Sequence, residues 1–114
     1  MRRAAALAAA AAMGCGALAA PATTATLRNV KVGDNYFVRD GSAATVAVAR
    51  NTRVKWLWRG DAPHNVTVTR GPLKFHSKTM SSGSYSKLMT RAGTYKIVCT
   101  IHGASDQSMT LRVR

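Results

Sequence analysis

The chain has 114 residues, enough for one small domain and no more. Its 17 basic and 4 acidic residues give a net charge of +13, which suits encounters with acidic partners or anionic surfaces. Nucleic acid is the first partner such a charge suggests, but beyond Arg3 the basic residues run from Arg28 to Arg114 with no clustered stripe and no nucleic-acid motif, so that class is set aside.

The first 22 residues read as a signal peptide. Arg2 and Arg3 precede an alanine-rich apolar run from Ala4 to Ala20, and Ala20-Pro21-Ala22 is an A-x-A cleavage site. The run is too short and too weakly apolar for a membrane span, and none is expected in the mature form. Ala12-Met13-Gly14-Cys15 distantly resembles a lipoprotein signal, although the usual leucine three positions before the cysteine is missing; Cys15 is therefore a candidate for a lipid anchor. Either route implies an exported protein, periplasmic or otherwise extracytoplasmic. Cleavage after Ala22 leaves a domain of residues 23–114 with 15 basic and 4 acidic residues, a net +11, and Cys99 as its one cysteine.

That domain reads as all-β. Thr26 to Val32 alternates, with Val30 and Val32 on one face. A short run from Asn35 to Val38 carries Tyr36-Phe37. Ala44 to Ala49 places Val46 and Val48 together, and Arg50-Asn51-Thr52 turns the chain. Val54, Trp56 and Trp58 share a face opposite Lys55 and Arg59. Gly60-Asp61-Ala62-Pro63 is a loop, and Asn65 to Thr69 follows as a strand with Val66 and Val68 inward. Ser84 to Met89 and Thr94 to Cys99 are expected to pair around an Arg91-Ala92-Gly93 turn, and Met109, Leu111 and Val113 lie on the closing strand. Seven or eight such strands in about 90 residues suit a Greek-key two-sheet β-sandwich with one core. That core is expected to hold Val30, Val32, Phe37, Val46, Val48, Val54, Trp56, Val66, Val68, Tyr95, Ile97, Leu111 and Val113. Lys74, Lys78 and Lys87 read as a solvated face.

The chemistry-bearing residues are few. Cys99-Thr100-Ile101-His102 is preceded 35 positions earlier by His64 in Ala62-Pro63-His64-Asn65-Val66. A single thiol in an oxidising compartment has no internal disulfide partner, so Cys99 is either free or a ligand. Two residues between Cys99 and His102 let both side chains turn toward one point. One thiolate with two imidazoles suits a trigonal copper site completed by one long, weak bond. The four acids, Asp34, Asp40, Asp61 and Asp106, are scattered and form no acid–base pair, and no catalytic residues are expected.

These segments carry a resemblance. Val54-Lys55-Trp56 leading through Asp61-Ala62-Pro63-His64-Asn65-Val66, then Gly93-Thr94-Tyr95-Lys96-Ile97-Val98-Cys99-Thr100-Ile101-His102, then Ser108-Met109-Thr110-Leu111-Arg112-Val113 resemble, in order and distance, the small blue copper proteins of the plastocyanin and amicyanin branch of the cupredoxins. The resemblance covers nearly all of the mature chain and implies His64, Cys99 and His102 as ligands of one copper ion cycling between Cu(I) and Cu(II). It gives Asn65 the task of tying the ligand loops together and Tyr95 that of a core or corner tyrosine. The branch usually has methionine three or five positions after the loop histidine, where this chain has Ser105 and Gln107. The closing pattern puts Gln107 at the axial position, in preference to Met109. The implied function is an exported carrier of single electrons between redox partners, monomeric, meeting an acidic haem or copper protein through the His102 edge inside a rim of Pro63, Gly103 and Ala104. Two alternatives stand beside it. One is a copper-binding protein that stores or delivers the metal without redox cycling. The other is a metal-free adhesive sandwich with Cys99 inert.

Overall fold

The computed structural model describes residues 26–38 and 44–114; the expected signal peptide and Cys15 lie outside the described residues. Seven strands form: β1 (Leu27–Val32), β2 (Ala44–Val48), β3 (Thr52–Trp58), β4 (Thr67–Arg70), β5 (Ser84–Met89), β6 (Gly93–Val98) and β7 (Ser108–Val113). They make two mixed sheets, β1-β3-β5 and β2-β7-β6-β4, in an all-β sandwich. The chain alternates between the sheets at each connection until β6 and β7, which are antiparallel neighbours. β1 runs parallel to β3 and β2 parallel to β7, pairings that need a crossover and cannot come from a tight hairpin.

Alternation in the sequence dictates which side chains face the other sheet. In β3, Thr52, Val54, Trp56 and Trp58 are buried, while the residues between them face out. All thirteen expected core residues are buried, joined by Trp58, Phe75, Met89, Cys99 and Met109. Trp56 sits at the centre, its ring 5.9 Å from Tyr85 and 6.1 Å from Phe75. Fully burying a side chain of this size contributes about 2–3 kcal/mol, so this aromatic group is a principal part of the core.

Three local expectations are corrected. Ser84–Met89 and Thr94–Cys99 do not pair: β5 pairs with β3 and β6 with β7 and β4, so the Thr90–Ala92 connection crosses from one sheet to the other. Met89 and Tyr95 both enter the core, from opposite sheets, which a flat hairpin would not allow. The Tyr95 hydroxyl donates to the Arg91 carbonyl at 2.7 Å and holds this corner. Residues 35–38 make only an isolated bridge, Val32 to Phe37, because the chain leaves the sheet edge at Gly33. Lys87 is not on a solvated face: it points inward on β5, with its ammonium 5.6 Å above the Phe75 ring.

The ends of the sandwich differ. One end collects the loops that follow β1, β3 and β6, and it holds the residues of chemical interest. The opposite end collects the start of β1, the β2–β3 turn, the β5–β6 corner and the C-terminus. There Asn51 adopts φ 71°, a left-handed conformation that asparagine tolerates in turns.

Candidate metal centre

His64 lies in the loop between β3 and β4, and its backbone exchanges two hydrogen bonds with Met80, at 2.9 and 3.0 Å. Trp58, the last residue of β3, donates its indole N–H to the His64 carbonyl at 3.2 Å. A buried tryptophan thus closes the loop over the core as well as packing in it. Cys99 comes directly after β6 and His102 three residues on, inside the β6–β7 loop. That loop is tightened by Gly103 N–H to Cys99 C=O at 2.8 Å and Gln107 N–H to Gly103 C=O at 3.0 Å. Gly103 has φ 81°, which a residue with a Cβ adopts only under strain.

These elements bring the three expected ligands together. His64 Nδ1 lies 3.9 Å from Cys99 Sγ, and His102 Nδ1 lies 3.5 Å from it. The three donor atoms all fall within 4.8 Å of one another. The donor set fits one first-row metal ion. Bonds of about 2.0 Å to nitrogen and 2.3 Å to sulfur, opened to about 120°, place N and S about 3.7 Å apart. His64 and Cys99 are fully buried and His102 is partly exposed. The imidazole rings sit 4.9 Å apart at 40°, so they converge without stacking.

Asn65 ties the two ligand loops. Its Nδ2 donates to Thr79 Oγ1 at 3.1 Å and to Thr100 Oγ1 at 2.8 Å. Its Oδ1 accepts from the Thr100 N–H at 3.1 Å and the Thr67 hydroxyl at 2.8 Å. Every polar atom of this buried amide is used, which locks the residue after His64 against the residue after Cys99.

Gln107 is buried across from Cys99, whose N–H donates to the Gln107 carbonyl at 3.1 Å. Its side-chain Nε2 donates to the carbonyls of Gly33 at 2.7 Å and Tyr36 at 2.9 Å. Only the NH₂ end of the amide can serve two acceptors, so its orientation is set. Oε1 is buried and has no hydrogen-bond partner among the described residues. An orphaned buried acceptor is costly, and a metal ion would satisfy it. Met109, the competing axial residue, is a fully buried member of the core on β7, paired with Ile97 and Ala44.

The residue missed from the sequence is Asp34. Its Oδ1 contacts His64 Nε2 at 3.0 Å and accepts the N–H groups of Asp61 at 2.9 Å and Ala62 at 3.0 Å. These bonds, that of Ala62 first and the His64 contact second, hold its carboxyl below the usual aspartate value. A Cβ at Gly60 would collide with this carboxylate, which explains the glycine there. Gly33-Asp34-Asn35 carries only the signature of a turn, and its partner lies 30 residues away.

No family model matches the chain, and no curated protein matches it. Solved structures do. A methionine-to-glutamine mutant of amicyanin in the Cu(I) form matches with TM-score 0.65 and 26% identity, covering 77% of this chain and 82% of that one. A purple cupredoxin from Nitrosopumilus maritimus matches with TM-score 0.62 and 19% identity, over 75% of this chain and 98% of that one. A copper-containing nitrite reductase from Thermus scotoductus SA-01 matches with TM-score 0.68 and 20% identity, over 87% of this chain but only 25% of that one. The last two likenesses bear on the fold alone.

Proposed function

The chain is a small cupredoxin of the blue copper kind, and from that premise we propose that it carries single electrons between redox partners through one copper ion held by His64, Cys99, His102 and Gln107. The carrying observation is the convergence of His64 Nδ1, His102 Nδ1 and Cys99 Sγ at one point, with only His102 reaching the surface. Copper bound there supplies one-electron chemistry through its Cu(I)/Cu(II) couple.

The protein's own residues supply the rest. Cys99 gives up its thiol proton when it ligates. Asn65 and Asp34 hold both ligand loops before any metal enters, so little rearrangement accompanies a change of charge at the site. Gln107 offers Oε1 as the fourth donor, supported by the absence of any other partner for that atom. An amide oxygen is harder than a thioether and favours the oxidised metal. Trp58 and the core beneath His64 exclude water. The partly exposed His102 ring, beside Ile101 at 52% exposure, is the portion of the ligand group that a partner can touch. A brief contact of small area fits a carrier better than a stable complex.

Storage or delivery of copper without cycling is the second reading. The loop bonds disfavour it, since a delivery site gains from ligands that swing free. In this reading the protein is exported, its leader being residues 1–22. No helix among the described residues is long and apolar enough to cross a membrane. The partner is a redox protein. Its acidic character is inferred from the net charge, whereas Asp34, Asp61 and Asp106, all the acids among the described residues, lie in the loops at the ligand end.

The test is optical. Protein loaded with Cu(II) is expected to show an intense visible band from thiolate-to-metal charge transfer and a reversible one-electron wave. Cys99→Ser should remove the band while leaving the folded β signal in circular dichroism. A band that survives this substitution overturns the ligand assignment; a band without reversible reduction favours storage.

A further inference from the structure

The basic residues scattered along the sequence are gathered by the fold. Arg28 is second in β1, Arg50 lies in the β2–β3 turn, and Arg53 is second in β3. Arg91 is in the β5–β6 corner, Arg112 is next to last in β7, and Arg114 directly follows that strand. By strand direction all six belong to the end of the sandwich opposite the ligands, and all six are exposed. No acid among the described residues lies at that end, and none of the six makes an ion pair among the described residues. Leu27, exposed to 55%, sits in the same region, in register with Arg53, which in turn faces Leu88. A cavity of about 290 Å³ lined by Ala47, Gly93, Thr94, Arg112, Val113 and Arg114 opens between two of the arginines. Thr26, whose carbonyl accepts the Arg53 N–H at 2.7 Å, lies here too.

We propose that this arginine end docks on an anionic lipid bilayer, with the arginines on lipid phosphates and Leu27 at the headgroup boundary, leaving the metal end turned away toward redox partners. The residue type fits the surface. A guanidinium presents a planar fork of donors that matches phosphate, and the six exposed cations here are arginine; Lys87, level with Arg28 across Val54, turns inward over the Phe75 ring. The spread of the charges fits as well. They surround an end of the sandwich, with an apolar side chain among them, as a broad flat partner requires. Each arginine near such a surface strengthens binding by about fivefold, so three of them account for roughly 100-fold and all six for on the order of 10⁴-fold. Docking itself does not depend on copper; only its consequence for electron transfer rests on the proposed carrier function.

The experiment is cosedimentation of the mature full chain with phosphatidylcholine vesicles, with and without phosphatidylglycerol. Binding is expected only with the anionic lipid, and salt of about 0.5 M should release it. The triple variant Arg53→Gln, Arg91→Gln, Arg114→Gln should lose about 100-fold in affinity. Lys31→Gln, Lys78→Gln, Lys96→Gln, with the same charge change elsewhere, should lose less than a tenth of that. Leu27→Trp, which leaves every charge in place, should show a blue-shifted and quencher-protected emission on anionic vesicles. The visible copper band of each variant, measured separately, reports the state of the ligand site. Equal losses in the two triple variants would reduce the effect to net charge and overturn the assignment of this end. Binding of inorganic phosphate or duplex DNA, with no binding to anionic vesicles, would overturn the bilayer as the occupant, as would capture of an acidic protein through this end alone.

Discussion

At the scale of single residues, the site rests on bonds that orient its ligands. Asp34 holds the far side of the His64 ring and two N–H groups of the His64 loop with one oxygen. Its carboxyl is held below the usual value, so the folded state favours the ionised form. Its contribution to stability is present above the unfolded aspartate value of about 3.9 and is lost as pH falls through the lower folded value. In urea titrations of the metal-free protein, Asp34→Asn should therefore be less stable than wild type near neutrality, and the gap should close on acidification. Gln107 Nε2 holds two carbonyls, and its Oε1 is the proposed fourth donor. Gln107→Met should raise the reduction potential, because a thioether favours Cu(I). It should also cost about 1–3 kcal/mol for the buried Gly33 carbonyl left without a donor, while the Tyr36 carbonyl keeps the Gly33 N–H. Met109→Leu, a volume-conserving change in the core, should cost less than about 1.5 kcal/mol and shift the potential far less. If cyclic voltammetry shows the larger shift for Met109→Leu, Met109 is the axial residue.

At the scale of elements, the strands themselves were legible and their partners were not. Alternation along Thr52–Trp58 and Ser108–Val113 marks the buried face directly, because side chains in a strand alternate regardless of what they pair with. Pairing depends on which neighbour completes the core. Ser84–Met89 and Gly93–Val98, close in sequence, lie in different sheets. The corner between them is held by the Tyr95 hydroxyl on Arg91 C=O. Tyr95→Phe removes that single bond and leaves the ring in the core, so thermal or urea unfolding should show a loss of about 1 kcal/mol. The copper band and potential should not move, since this corner lies at the far end of the sandwich from the ligands. The ligand loop behaves differently. Its spacing of two residues between Cys99 and His102 was readable, and the family resemblance gave Asn65 its loop-tying task, but the partners of its amide, Thr67, Thr79 and Thr100, appear only once both loops are placed.

For the whole molecule, the two large apolar side chains left exposed among the described residues lie at opposite ends: Ile101 beside His102, and Leu27 among the arginines. The surfaces proposed for lipid docking and for electron exchange therefore lie at opposite ends. Ile101→Ser should slow electron exchange with a redox partner in stopped-flow measurements while leaving the potential and the visible band unchanged, because it alters contact without touching a donor atom. Salt should weaken any charge-guided encounter over a Debye length of about 10 Å at 0.1 M, while the buried site keeps its spectrum. A salt-independent encounter rate would assign recognition at the ligand end to apolar contact alone.

Local chemistry and period were settled by the amino-acid order: an all-β chain, its inward-facing residues, and three soft or borderline ligands at spacings that suit one metal ion. These depend on residue type and on short separations along the chain. Tertiary structure decided what long separations decide. It placed Asp34 on His64, left Gln107 Oε1 without a partner, sent β5 and β6 to different sheets, and drew six arginines from across the sequence to one end. A strand's direction in the sheet determines which end of the molecule a charge occupies, and that direction follows from packing two sheets around one core.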